Sequence, residues 1–298
     1  MSDFRLEVFY TVAKRLSFTK AASELFITQP AVTKHIRELE TKYQAKLFER
    51  NGNHVELTEA GQVLLKHAEK IFELYRNAEF GINALSQRQD GLIRLGASTT
   101  PTQYIIAPLL ASFRSKFPQV QLSLITGNTE QVEKALLSKD IEIGIIEGYS
   151  KNTGISYHPF IKDEIVLVCG SRHPLAKRAS LKPEELKNIP FVLREHGSGT
   201  LEVIDHALKM AGINLSDLPV EIRLGNSESI KSYLLNAPCM AFLSVHAVAE
   251  EVNRGELKII DVEGLDIRRD FYLIHLQGKL TGLAELFYRF ATRYHNLK

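Results

Sequence analysis

Ser17-Phe18-Thr19-Lys20-Ala21-Ala22, followed after a short break by Thr28-Gln29-Pro30-Ala31-Val32-Thr33-Lys34-His35-Ile36-Arg37-Glu38-Leu39-Glu40, reads as two helices on either side of a tight turn. In the first, Phe18, Ala21, Ala22 and Leu25 recur at helical spacing, and Ser17 or Thr19 precedes them as N-cap. Phe26 and Ile27 form the break. The second opens with Thr28 as N-cap and Pro30 in the first turn, where a missing N–H costs nothing. Val32, Ile36 and Leu39 make its apolar stripe, while Gln29, Thr33, Lys34 and Arg37 face outward with His35 beside them. A recognition helix must offer paired donors to base edges and cations to phosphates, and these residue types suit both tasks. An ordinary amphipathic helix would show the same polar face, so the segments that follow decide the matter.

Leu47–Arg50 and His54–Leu57 read as short strands around Asn51-Gly52-Asn53, the pattern of a wing. It would carry Arg50 and Asn53 to the flanking backbone or minor groove. From Thr58, an N-cap with Glu59 in the first turn, apolar residues recur at helical spacing from Leu64 to Leu85. A helix of this length with an apolar stripe between two globular segments needs a partner surface, and a second copy of the chain supplies one.

These residues resemble the LysR-type transcriptional regulators. The resemblance runs through Leu6, Phe9, Val12, Ser17-Phe18-Thr19, Ala21-Ala22, Leu25, Thr28 to Thr33, Ile36, Leu39-Glu40, Leu47-Phe48, Arg50 and Leu57-Thr58-Glu59-Ala60-Gly61. Ala45 departs from it, standing where the family usually has Gly, and Thr28 and Thr33 stand where Ser is common. On this reading double-stranded DNA is the partner of Ser17, Thr19, Thr28, Gln29, Pro30, Thr33, Lys34, His35, Arg37, Arg50 and Asn53.

Length and composition agree. At 298 residues, 44% hydrophobic and 24% charged, the chain is too long for one ordinary domain and has the make-up of a well-cored soluble protein. A net charge of +2 is modest for a nucleic-acid binder, so basic surface must be local, and Lys34, Arg37, Lys42, Lys46 and Arg50 provide it. Two cysteines, Cys169 and Cys239, suit a reducing cytoplasm and are too few for a disulfide framework. Neither a basic start with an apolar core in residues 1–30 nor a run of about 20 apolar residues is present, so a cytoplasmic chain with no membrane contact is expected.

From Leu92 the rhythm changes to short apolar strands alternating with helices, the signature of parallel α/β structure. Strands are expected at 92–96, 121–125, 141–146, 164–169, 191–194, 220–224, 240–243 and 271–274. Helices are expected at 104–117, 130–137, 201–211, 229–235, 247–254 and 282–295. The family resemblance implies how they connect: a bilobed effector domain like a periplasmic binding protein, crossed by the chain near Phe160–Lys162 and again near Asp266–Arg269. The expected architecture is thus a winged helix-turn-helix in residues 1–58, a linker and dimerisation helix in 59–89, and an α/β effector domain in 90–298. Lobe I would hold 91–160 and 269–298, and lobe II 161–268.

Ligands of open α/β sheets bind beyond the carboxyl ends of strands. The candidates there are Ser98, Thr99, Thr100, Thr102, Thr129, Ser198, Thr200 and Asn226. Hydroxyls and amides at helix N-termini suit an anion, so a small anionic effector is expected, although each Ser or Thr alone would serve as a simple cap. Gly197-Ser198-Gly199-Thr200 lacks the Lys of a phosphate-binding loop, which argues against a nucleotide. In its wider form, Arg194 to Thr200, it resembles family members that respond to small metabolites, some of them in sulfur assimilation.

An enzyme is the weaker reading, with no catalytic, metal or cofactor residue expected. Cys169 with His173 lacks an orienting acid, and the remaining histidines have no metal-ligand spacing. Glu142, Glu147, Asp163 and Glu164 read as strand-end or solvated carboxylates. A solute-binding protein would share the bilobed fold, but the N-terminal pattern argues against it. What remains is an allosteric transcription regulator acting as a homodimer or homotetramer.

Overall fold

A computed structural model describes residues 3–51, 54–85, 90–149 and 151–296. The chain divides into two compact units, Met1–Arg88 and Gln89–Lys298.

In the first unit, α1 (Phe4–Arg15), α2 (Phe18–Glu24) and α3 (Gln29–Tyr43) precede a hairpin of β1 (Phe48–Asn51) and β2 (His54–Leu57), after which α4 runs from Glu59 to Leu85. Local chemistry sets each boundary. Asp3 caps α1, Ser17 rather than Thr19 caps α2 by accepting from the Lys20 amide, and Thr28 accepts from Ala31 N at the start of α3. Thr58 caps α4 by accepting from Gly61 N at 3.0 Å. Val32, Ile36 and Leu39 are buried against Phe9, Val12, Phe18 and Ala21, so the stripe read in the sequence is the face that packs. Burying such side chains contributes about 1.5–3 kcal/mol each, enough to hold helices too short to stand alone. Strands β1 and β2 pair antiparallel, Phe48 opposite Leu57 and Asn51 opposite His54. Asn53 lies outside the described residues, and of Arg50 the backbone alone is described.

The stripe of α4 differs from expectation in what it touches. Leu64, Leu65, Ile71 and Phe72 pack on the core of their own unit, with the Phe72 ring 5.2 Å from that of Tyr10. Among the described side chains of α4, the large apolar residues left exposed are Val63, Leu74, Tyr75 and Ile82. Ile71 and Phe72 thus pack within the unit while each stays partly exposed.

The second unit is a mixed sheet with helices on its faces. Strands β3 (Gly91–Ser98), β4 (Val120–Gly127) and β5 (Ile143–Glu147) are parallel and alternate with α5 (Thr99–Tyr104), α6 (Ile106–Lys116) and α7 (Thr129–Leu137). A sixteen-residue strand, β6 (Ile155–Gly170), then leaves this lobe for the next. The second lobe holds β7 (Ser180–Leu181), β8 (Phe191–Arg194), α8 (Gly199–Met210), β9 (Val220–Leu224), α9 (Ser227–Leu234), β10 (Met240–Ser244), α10 (Val245–Asn253) and β11 (Leu257–Val262). Strand β12 (Ile267–Leu276) returns antiparallel to β6, and α11 (Gly282–Asn296) completes the first lobe. The strand order β4-β3-β5-β12-β6-β10-β8-β9 makes β6 and β12 the double crossing between lobes. Sequence reading missed β11 and the first half of β6, and found the other main strands to within a few residues.

Separate apolar cores fill the lobes. Phe113, Phe287 and Leu273 lie in one, Phe191, Phe242 and Leu208 in the other. Between them, the carboxyl ends of β3, β5 and β8 and the N-termini of α5, α7 and α8 come together.

Candidate nucleic-acid interface and effector cleft

On the first unit, Thr28, Gln29, Pro30, Lys34 and Arg37 are exposed and Thr33 is half-buried. Gln29, Pro30, Thr33, Lys34 and Arg37 line an open recess of about 890 Å³ with Arg5, Glu38, Thr41 and Lys42. Gln29 Nε2 donates to Thr33 Oγ1 at 3.2 Å, which pre-orients the amide across one helical turn. The ammonium and guanidinium groups of Lys34 and Arg37 stand in solvent, whereas Lys46 is ion-paired with Glu40 at 3.2 Å. His35 leaves the outward group: its ring packs edge-on against Phe4, centroids 5.4 Å apart. Thr19 is exposed on α2, and half-buried Ser17 is engaged as its cap.

In the second unit the polar residues at the strand ends meet around two carboxylates that read in the sequence as strand-end or solvated groups. Glu147 and Asp163 are 1% and 5% exposed. Ser98 Oγ donates to one carboxylate oxygen of Glu147, and Thr200 Oγ1 donates to the other at 3.0 Å. Thr129 Oγ1 donates to the Glu147 carbonyl at 2.8 Å. Arg269, from β12, donates through Nη1 to Thr200 Oγ1 at 2.8 Å and through Nε to Asp163 at 2.7 Å, with Glu147 3.7 Å from Nη1. Ser244, the cap of α10, completes the chain by donating to Asp163 at 2.7 Å. Both acids are buried because the guanidinium and hydroxyls replace the water they lose. Gly199 permits the approach, since a Cβ there would stand 2.0 Å from the Glu147 carbonyl oxygen.

Arg194 closes a second side of the cleft. Its side chain is 1% exposed, pairs with Glu195 at 2.8 Å and donates to Thr99 Oγ1 at 2.9 Å across the lobes. Asn128 Nδ2 reaches the His196 carbonyl at 3.2 Å, and Tyr104 OH donates to Glu228 at 2.6 Å. Burial, then Glu228, raises the Tyr104 hydroxyl pKa, so it stays a donor. Around this belt three buried atoms have no protein hydrogen-bond partner: Thr100 Oγ1, Arg194 Nη1 and Arg269 Nη2. Thr102 instead donates back to the Ser98 carbonyl at 2.9 Å, Ser198 caps α8, and Asn226 caps α9.

Comparison with known proteins matches these two units to two family models. Residues 4–62 match the bacterial regulatory helix-turn-helix protein, lysR family, and residues 86–295 match the LysR substrate binding domain. This chain is a LysR family member. Its relatives include HTH-type transcriptional regulator CysL of Bacillus subtilis, 31% identical over 270 residues that span 91% of this chain and 89% of that one. The CcmR regulatory domain of Synechocystis PCC6803, solved in complex with 2-PG, is 27% identical, covers 69% of this chain and 98% of its own, and superposes with a TM-score of 0.63. Full-length CbnR, solved with its target DNA, is 18% identical over 99% of this chain and all of its own, with a TM-score of 0.65, and shows the shared fold.

In this LysR-type regulator the cleft is built on charged groups as well as hydroxyls. Glu147, Asp163, Arg194 and Arg269 were missed as site residues, and the signal that could have found them is positional: Glu147 and Arg194 each end an apolar strand, as Ser98 does. Cys169 lies fully buried in the lobe II core, and burial pushes its thiol up to about 11. Among the described residues no group of three or more His, Cys, Asp or Glu could hold a metal, and no helix is long and apolar enough to cross a membrane.

Proposed function

We propose that the chain is a cytoplasmic DNA-binding regulator whose promoter binding is modulated by a small anionic metabolite held between the lobes. One observation carries the effector reading: Thr100 Oγ1, Arg194 Nη1 and Arg269 Nη2 are buried donors without a protein acceptor. Leaving such a group unmatched costs about 1–3 kcal/mol, and two of the three belong to cations, so an acceptor of negative charge fits them. The reading shifts the expected anion contacts. The hydroxyls of Ser98, Thr129 and Thr200 are engaged by Glu147 and form the supporting wall, while Thr100 and the two arginines take the ligand. The 2-PG complex of the related regulatory domain supports a small ligand in this domain type.

On the DNA side, α3 enters the major groove with Gln29, Thr33 and Arg37 toward base edges and Lys34 toward phosphate, and the hairpin with Arg50 and Asn53 follows the backbone. Homodimers form through the exposed Leu74, Tyr75 and Ile82 of α4. Ligand binding shifts the balance between lobe arrangements, and through the oligomer the spacing of DNA contacts.

Thermal shift of the full chain with sulfate, thiosulfate, phosphate and small carboxylates tests the effector reading. The stretch 194–200, with its resemblance to regulators in sulfur assimilation, puts the sulfur oxyanions first. An anion that stabilises the wild type and the Thr100→Val variant equally would place its site elsewhere.

A further inference from the structure

Phe26 occupies a position that suits neither its side chain nor its backbone. It is 95% exposed, the highest value of any large apolar residue described. It stands directly after the C-cap of α2 with φ at 53°, the left-handed conformation in which helices commonly end on Gly or Asn. Its neighbours serve the fold: Ile27 packs toward the core with its amide on Ala22 O at 3.0 Å, and Thr28 caps α3. Other left-handed residues, Leu16 and Gln44, also end helices, but neither presents an aromatic ring to solvent. A fold-driven choice at this position would be a small polar residue.

We infer that the Phe26 ring is a DNA contact, seated against apolar surface at the edge of the groove that α3 enters. The inference rests on the DNA-binding reading above. Phe26 is separated from Gln29 and Pro30, both in the exposed recess, by Ile27 and Thr28 alone. In helix-turn-helix docking the first residues of the recognition helix meet base edges, so the turn that delivers them stands at the groove margin. Two apolar surfaces are offered there, the thymine methyl and the deoxyribose. Such a contact needs no charge. It therefore adds affinity without adding counterion release, which distinguishes it from Lys34 and Arg37.

The test uses the full chain and a duplex enriched from a random pool by selection on the wild-type protein. Phe26→Asn suits the left-handed backbone, so its melting temperature is expected to equal or exceed that of the wild type. Its affinity for the enriched duplex is expected to fall on the order of tenfold with an unchanged slope of log K against log salt. Phe26→Tyr, which keeps the ring, retains affinity. Replacing thymine by uracil in the duplex separates the two surfaces: a methyl contact makes the wild type lose affinity and Phe26→Asn lose no more, whereas a sugar contact leaves both unmoved by uracil. Phe26→Asn binding within twofold of wild type overturns the inference. So does unchanged DNA binding with transcription lost, which would seat the ring on a protein. A wild-type chain that enriched no duplex would remove the DNA-binding reading and this inference together.

Discussion

The outward face of α3 and the cleft between the lobes carry similar residue types in opposite states. On α3 the side chains of Lys34 and Arg37 stand in water, and Gln29 donates to Thr33. In the cleft Arg269, Glu147, Asp163, Thr200 and Ser98 are buried and hold one another. Groups waiting for a partner cost the folded chain little when removed. Groups that satisfy each other under burial cannot be removed singly without stranding a charge. Binding should therefore separate from stability on α3 and be entangled with it in the cleft.

The largest effect that could break this contrast is at Arg269. Arg269→Ala leaves Asp163 and Glu147 buried without their cation, and urea unfolding should show a loss of about 3–5 kcal/mol. Stability within 0.5 kcal/mol of wild type, roughly the scatter of surface substitutions, would mean the cleft is solvated. On α3, Gln29→Ala or Arg37→Ala should weaken specific DNA binding by about 1–3 kcal/mol while melting stays near wild type. Filter binding across salt concentrations measures it, with Lys34→Ala expected to weaken specific and non-specific binding alike.

Two threonines sharpen the comparison inside the cleft. Thr200→Val deletes a hydroxyl that both donates to Glu147 and accepts from Arg269, so it should lower stability by about 1–3 kcal/mol. Thr100→Val deletes an unpartnered hydroxyl and should leave unligated stability unchanged or slightly raised, with the loss confined to effector affinity. Calorimetric titration beside thermal melting separates the two.

The smallest effect is with pH. His158 and His275 stack in the first lobe with Nε2 atoms 3.0 Å apart. Burial, then the neighbouring imidazole, holds the His158 pKa below its usual value. The unfolded chain protonates this imidazole at about pH 6.5 and the folded chain resists it, so stability is full above about 6.5 and declines as pH falls below it. Urea midpoints at pH 7.5 and 5.5 should show the decline, and His158→Asn should reduce it.

The helix-turn-helix was legible because its physics is local. Ser17, Thr28 and Pro30 sit at helix starts, and Val32, Ile36 and Leu39 recur at helical spacing. The short parallel strands were legible as apolar runs. Strand β11 was not, because Leu257, Ile260 and Val262 turn inward without clean alternation. The first half of β6 contains Pro159, which sits beside a register shift in its pairing with β12, where a missing N–H is tolerated. In the cleft, Ser98, Thr100 and Thr200 were picked out from strand ends, but Glu147 read as a strand-end or solvated carboxylate because its partners arrive from residues up to 122 positions away, and no local pattern announces them. Ile71 and Phe72 recur at helical spacing, and spacing alone does not show that they also pack on their own unit.

The double crossing also fixes an order of events during synthesis. Strand β12 lies between β5 and β6 in the sheet, yet it is made after every strand of lobe II. As the chain leaves the ribosome, lobe II can assemble its own strands while lobe I still lacks an interior strand and the helix that covers its core. A nascent chain halted before Ile267 would expose the edges of β5 and β6, and Asp163 and Glu147 would lack the guanidinium that permits their burial. The stretch that joins the lobes is thus also the last to make the first lobe and the cleft whole, so premature termination before Ile267 disables the cleft although most of its residues have already been made.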